Sequence, residues 1–354
     1  MATDPVIEGV LLGTAVGDAL GLPMEGLSAG VIEKRFRHLD RYQLFLGRGW
    51  VSDDTEQSAL VAQSLVVGRG ELEPTVRAFR RSMVGWFLRL PWGIGWATLR
   101  ACVKLTFGVR RSAVRSAGNG GAMRAAILGA VFRGDPRHDA SRALLVRAIT
   151  EVTHDDERAV QGAQFVADVV AARGSAGARL KEARTRMTEP SLGRAVDEAL
   201  AQAERASRAE QKDARGEPTP ATQPAFETSG FVLHTVAFAA YVFARFGDEG
   251  ARRCLTEVMA AGGDTDSIGA IVGAWCGALH GRGGFDPLWI ERLQRGPFGL
   301  THLTALARDL TAVRDGVTVV RPARFFWPAA MLRNLALYPI VLAHGLRRLL
   351  PPYW

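Results

Sequence analysis

The sequence predicts an all-α protein, and three observations carry that expectation. Apolar residues recur at helical spacing in one segment after another, whereas period-2 alternation flanked by turn residues is almost absent. The apolar segment at residues 7–22 is also built largely from very small residues, a composition that lets helices approach closely in a buried bundle. The chain has 354 residues, 47% hydrophobic and 23% charged, an ordinary globular composition with length for one large domain or two smaller ones.

Along the chain, "IEGVLLGTAVGDALGL" from Ile7 to Leu22 reads as the first helix. Its repeated glycines, each costing about 1 kcal/mol of helix propensity, point to tight packing or a nearby ligand. After a polar stretch with Gly47 and Gly49, the residues Ser52, Asp53 and Asp54 precede apolar positions at Leu60, Val61, Leu65 and Val66, which suits a helix starting near Thr55. Helical periods follow at 74–90, 119–133, 139–151, 156–173, 192–212, 229–246, 248–260, 267–280 and 301–313. The pattern is weakest between 173 and 228, where a polar, arginine-rich helix lies between two irregular stretches and Pro218, Pro220 and Pro224 mark a loop. The last forty residues are apolar and aromatic, but Arg333 and the prolines at 328 and 339 interrupt every run before it reaches membrane-spanning length. Residues 316–354 are read as an amphipathic extension packed on the core or on a partner, in preference to contact with a membrane surface.

Composition narrows the class. The three cysteines, Cys102, Cys254 and Cys276, offer neither a disulfide framework nor zinc spacing, and fit a reducing, cytoplasmic setting. The N-terminus lacks the basic start and long apolar run of a signal peptide. A net charge of +8 suits an anionic partner, yet the arginines are spread over helical surfaces and no nucleic-acid recognition module is present, so no direct nucleic-acid partner is expected.

Two acidic clusters, "SDDT" at 52–55 and "DTDS" at 264–267, each open an apolar helix. Helix capping accounts for one such side chain per helix, worth about 1 kcal/mol, but adjacent carboxylates repel unless something positive neutralises them. Clustered Asp and Ser/Thr oxygens are the ligands of hard divalent cations such as magnesium or manganese, and two clusters meeting in space would suit a paired-metal site with an activated water. Spacing alone leaves capping and metal binding open. A third segment, "SAGNGGAMRAAILGAVF" at 116–132, is a glycine-rich turn leading into a helical pattern, whose amides suit a diphosphate, although the same dipeptides mark ordinary turns.

The ordered set "GTAVGDALGLPMEG", "SDDTEQSALV", "GNGGAMRAAILG", "THDDERAVQGA", "SGFVLHT" and "GGDTDSIGAIVGAWCGALHG" resembles the ADP-ribosylglycohydrolase family, over roughly residues 6–315. The family's name-giving member removes ADP-ribose from an arginine of dinitrogenase reductase. The resemblance implies a compact all-α catalytic domain over residues 1–315, with a central cleft holding two divalent cations, Mg2+ or Mn2+. The metal ligands it implies are Ser52, Asp53 and Asp54 in one group and Asp264, Asp266 and Ser267 in the other. Glu25 matches a glutamate on a mobile loop that closes over the metals or acts as base; Asp53 and Asp54 are its rivals for that proton, and Asp264 is counted with them among the catalytic carboxylates. Gly118, Asn119, Gly120, Gly121 and Met123 match the loop that contacts the diphosphate and distal ribose, and His154 matches a position near the ligand.

The activity so implied is metal-dependent hydrolysis of the bond between ribose C1 of ADP-ribose and a protein side chain, with positive, oxocarbenium-like charge developing on the ribose. Arginine is the expected linkage, in an enzyme that reverses mono-ADP-ribosylation or protects against an ADP-ribosylating toxin. The alternatives are an O-linked hydrolase acting on ADP-ribosylserine or O-acetyl-ADP-ribose, and an inactive ADP-ribose-binding relative, against which the complete set of implied ligands argues. Two stretches depart from the family pattern, the arginine-rich, aromatic segment 85–115 and the C-terminal extension, and target selectivity is expected there.

Overall fold

The computed structural model describes residues 2–135, 137–213, 226–319 and 322–347, and among them it contains sixteen α-helices and no β-strand. In the first part of the chain these are α1 (Pro5–Gly21), α2 (Ala29–Arg35), α3 (Asp53–Gly68), α4 (Leu72–Phe87) and α5 (Trp96–Thr106). The middle supplies α6 (Ala126–Val131), α7 (Arg137–Thr150), α8 (Glu157–Ala171), α9 (Ala176–Thr185) and α10 (Pro190–Asp213). The remainder holds α11 (Val232–Phe246), α12 (Ala251–Ala261), α13 (Thr265–His280), α14 (Pro287–Arg292), α15 (Leu300–Arg314) and α16 (Trp327–Arg347).

The two small-residue helices, α1 and α13, form the centre. α1 starts where Asp4 accepts hydrogen bonds from the amides of Val6 (2.8 Å) and Ile7 (3.0 Å) and Pro5 presets the first turn. Its glycines at 9, 13 and 17 face Gly277, Gly273 and Gly269 of α13, an antiparallel register in which any added Cβ would lie closer than 3.0 Å to the opposing backbone. Small residues four apart on both helices therefore allow backbone-to-backbone contact, as the composition of the first helix predicts. By length and composition Pro5–Met24 would suffice to cross a membrane, but most of it is buried inside this protein. Around the pair pack α3, α6, α8, α11, α12 and α15, and the buried Trp275 of α13 donates its indole N–H to the Val166 carbonyl at 3.1 Å.

Several details differ from the sequence reading. The expected helix at 119–133 is instead a 3-10 turn, Ala122–Arg124, followed by the six-residue α6. The Asn119 amide donates to Gly230 O (2.9 Å), which commits the start of that segment to a neighbouring loop. The helices α2, α5, α9 and α14 are short, and their apolar positions are too few to stand out as a period. The amphipathic tail segment is helical as α16, and Pro339 sits inside it at an exposed position, where the carbonyl it leaves without an intrahelical donor can meet solvent. The proline loop at Pro218, Pro220 and Pro224 lies outside the described residues, as do residues 348–354 of the tail. The part of the tail within them enters the protein: Leu337 packs with Leu22 and Trp92, buried Asn334 donates to the Arg89 carbonyl (2.9 Å), and Arg333 pairs with buried Glu56.

Candidate active site

A cavity of about 530 Å3 opens where the N-termini of α3 and α13 meet the 116–123 turn and the start of α5. Eleven of the thirteen site residues expected from sequence line it: Glu25, Asp53, Asp54, Gly118, Asn119, Gly120, Met123, His154, Asp264, Asp266 and Ser267. The other two stand directly behind it. Ser52 is buried and its hydroxyl donates to Asp54 Oδ2 at 3.1 Å, while Gly121 lies against Thr150, so close that an added Cβ would clash.

At the start of α3, capping is carried out by other groups than the two adjacent aspartates. Ser52 Oγ accepts from the Asp54 amide (3.3 Å), and Asp18, reaching over from α1, accepts from the amides of Ser52 (2.9 and 3.0 Å) and Thr55 (3.1 Å) and from the Thr55 hydroxyl (2.5 Å). Asp53 is left to face the cavity, held by an amide hydrogen bond from Gln57 (2.9 Å). Asp54 keeps one carboxylate oxygen, Oδ1, buried without any hydrogen-bond partner. At α13 the N-cap residue is Asp264, but its side chain makes no capping bond and instead accepts from Asn119 Nδ2 at 2.6 Å. Asp266 accepts from the first-turn amide of Ser267 at 3.0 Å, but capping explains neither Asp53 and Asp54 nor Asp264.

Their electrostatics are strained. Burial pushes Asp53, Asp54 and Asp266 well above the ordinary carboxylate range, and their carboxylate neighbours push the same way. Burial raises Asp264 too, and lifts Asp18 to about 6. Among the described residues no three Asp, Glu, His or Cys side chains converge into a ready-made metal cage. The carboxylates instead stand on two walls facing common space, with oxygen donors only, and the orphaned Asp54 Oδ1 is the position most in need of positive charge. This donor set fits a hard divalent cation and would not suit zinc or copper.

Glu25 follows the 3-10 turn Leu22–Met24 and is only partly buried. Its loop is tied to the turn before α13, since Gly26 N donates to Gly263 O (2.6 Å) and Gly263 N to Leu27 O (2.8 Å). Gly262 and Gly263 both have positive φ (73° and 78°), and a Cβ would strike the Leu27 backbone from Gly262 and the Thr228 backbone from Gly263.

The opposite wall is the 118–121 turn over His154. Gly120 has no room for a Cβ because the His154 ring lies against it. His154 is buried, and burial followed by the nearby Arg124 lowers it to about 3, so the imidazole is neutral at physiological pH. The sequence reading placed free amides of a helix N-terminus in this turn; the structure places a 3-10 turn between it and α6, and the Asn119 amide is already bonded.

Several residues that shape the site went unremarked in the sequence. Asp18 is one, signalled only as a lone charge in a run of small residues. Arg124 is another: fully buried, it donates to Gln57 Oε1 (2.7 Å), Thr153 Oγ1 (2.6 Å) and the Ile149 carbonyl (3.1 Å). Gln57 in turn holds Asp53, and Thr153 Oγ1 lies 2.7 Å from His154 Nδ1, so one buried network joins the acidic wall to the histidine wall. Its members lie up to 101 positions apart in sequence, a relation no local pattern announces.

Known proteins resemble this chain along most of its length. The model of a family described as ADP-ribosylglycohydrolase matches residues 4–318. An uncharacterised Archaeoglobus fulgidus protein is 31% identical, covering 80% of this chain and 90% of its own length. The uncharacterised Escherichia coli protein YegU is 26% identical over 81% of this chain and 91% of itself. An ADP-ribosyl-[dinitrogen reductase] glycohydrolase from Rhodospirillum rubrum is 24% identical over 80% of this chain and 89% of its own. A solved structure described as an ADP-ribosylglycohydrolase-related protein complex superposes with a TM-score of 0.63 at 25% identity, covering 87% of this chain and 98% of that one.

Proposed function

From the premise that the chain belongs to the ADP-ribosylglycohydrolase family, and is at that level a glycohydrolase, we propose that it cleaves ADP-ribose from modified arginine side chains, reversing mono-ADP-ribosylation. The observation that carries this reading is the cavity crowded with buried carboxylates, one of whose oxygens, Asp54 Oδ1, has no partner. A pair of cations, Mg2+ or Mn2+, held by Ser52, Asp53 and Asp54 on one side and Asp264, Asp266 and Ser267 on the other, would neutralise that crowd, orient the ribose hydroxyls and acidify a water.

The chain's own residues supply the rest. The ring of carboxylates favours the positive charge that develops on the ribose as the bond at C1 breaks. Asn119 fixes the Asp264 rotamer by donating to Oδ2 and is itself held by Thr235 Oγ1 (3.0 Å). Neutral His154, under the glycine turn, contacts the ligand without adding charge. Glu25 serves as base toward the attacking water, because carboxylates committed to cations lose basicity and Glu25 faces the same cavity without belonging to either ligand group. A role against an ADP-ribosylating toxin, in a reducing cytoplasm, belongs to the same proposal and fits three buried, free cysteines.

Incubation with Mg2+ or Mn2+ and proteins ADP-ribosylated on arginine or on serine, following released ADP-ribose, tests the reading. Release from arginine and dependence on the metal are expected; release from serine alone would replace the linkage. A second expectation concerns stability. Asp18, raised from 3.8 to about 6, contributes stability that is fully present below its unfolded value and lost as pH rises through about 6. Asp53, Asp54 and Asp266 are also raised, so they act in the same direction. Buried His154 and His302, lowered to about 3 and about 4, act the other way below about 6.5, so the carboxylate effect is read against Asp18→Asn: in chelator the wild type is expected to gain Tm relative to that variant as pH falls from about 7 to about 5, and excess Mg2+ or Mn2+ at pH about 7 should raise the wild-type Tm. A Tm indifferent to the metal would remove the cations from the site.

A further inference from the structure

The charge of this chain is unevenly placed. Between Glu73 and Asp135 there is no acidic residue, while eleven of the intervening residues are arginine or lysine. In the fold this stretch makes most of α4, all of α5 and the strap from α5 to the glycine turn. In the carboxylate-bearing segments that follow, several surface arginines are matched, as in Arg147 with Glu157, Arg184 with Asp197 and Arg186 with Asp139. Arg100, Arg110 and Arg111 are exposed and form no ion pair among the described residues.

The same segment exposes apolar side chains in register. Trp96 is 78% exposed, Val103 40% and the C-cap residue Phe107 80%, and their spacing of seven and four places them along one face of α5 and its C-terminal end, with Arg100 between Trp96 and Val103. The opposite face, with Thr98, Ala101, Cys102 and Leu105, is buried and suffices to hold the helix. Trp96 and Phe107 on the outward stripe therefore contribute little to packing. The stripe also begins at the mouth of the cavity, where Trp96 and Ala97 are lining residues.

We infer that the outer face of α5 is the docking surface for the modified protein, receiving a patch of apolar side chains ringed by carboxylates beside the ADP-ribosylated residue. This rests on the proposed hydrolase activity and adds to it the partner's chemistry. Continuity with the cavity mouth places the surface within reach of a tethered substrate, and the unmatched arginines select for acidic surroundings. The convex, partly aliphatic stripe suits protein side chains better than it suits stacked bases, which would need an aromatic platform in a basic groove.

Three substrates test it: ADP-ribosyl-agmatine, which has no surroundings to dock; a peptide whose ADP-ribosylarginine is flanked by leucine and glutamate; and one flanked by serine and lysine. The wild-type protein is expected to prefer the acidic peptide. Arg100→Glu and Phe107→Ser should each lower kcat/KM on that peptide by about tenfold, mainly through KM, and leave ADP-ribosyl-agmatine within about twofold, which also controls for folding. No peptide preference in the wild type, or an equal loss on agmatine and peptide, overturns the inference. If the wild type cleaves only serine-linked ADP-ribose, the arginine reading fails by itself, and the same peptides modified on serine read the docking. Failure on every linkage overturns both. Stronger inhibition by a single-stranded oligonucleotide than by the unmodified acidic peptide would reassign the face to nucleic acid and overturn the inference.

Discussion

Asp264→Ala is expected to abolish hydrolysis while leaving the protein folded. The side chain stands at the N-cap of α13 yet makes no capping bond, so its removal uncaps nothing. Asn119 loses one acceptor but keeps Thr235. One of several mutually repelling buried carboxylates disappears, which on balance stabilises the metal-free protein. A loss of turnover of about 10^3-fold or more, the scale of removing a preorganised charge from a transition state, with Tm in chelator unchanged or higher, is the expected pair of readings. Full activity would refute the assignment of the site.

Gly17→Leu carries the largest expected effect on stability. Gly17 meets the backbone of Gly269 so closely that even a methyl group would lie within 3.0 Å of it, and main chain on both sides has no rotamer with which to yield. Overpacking ordinarily costs about 1–3 kcal/mol, and here the obstacle is backbone, so a cost at or beyond the top of that range is expected in chemical denaturation. Because Asp18 follows directly and Asp266 and Ser267 precede Gly269, cation binding should be lost together with stability. Gly177→Ala is the control: a Cβ there meets nothing within 4 Å, and in α9 the change should stabilise by up to about 1 kcal/mol.

The helical class, the buried first helix and the two acidic helix starts were all legible because each rests on residues close together in sequence. Ser52, Asp53 and Asp54 lie within three positions, and so do most of the residues from Asp264 to Ser267. Legibility ended where a side chain's partner is remote. Asp18 shows no local sign that it will cap α3, which begins 35 residues later, and Arg124 gives no hint that its hydrogen bonds reach back to Gln57 and forward to Thr153. The break in the expected 119–133 helix has the same origin, since the Asn119 amide is taken by Gly230.

The glycine seam also bears on how such a chain can vary. The seam fixes α13 against α1 by main-chain contact, and Asp18 of α1 holds the start of α3, so the spacing of the two carboxylate groups depends on the backbone and on one side chain, and little on the residues around them. A reaction centre gauged in this way keeps its dimensions while α5, the strap behind it and the tail helix diverge. New targets can then be acquired by repainting the rim, without retuning the chemistry underneath.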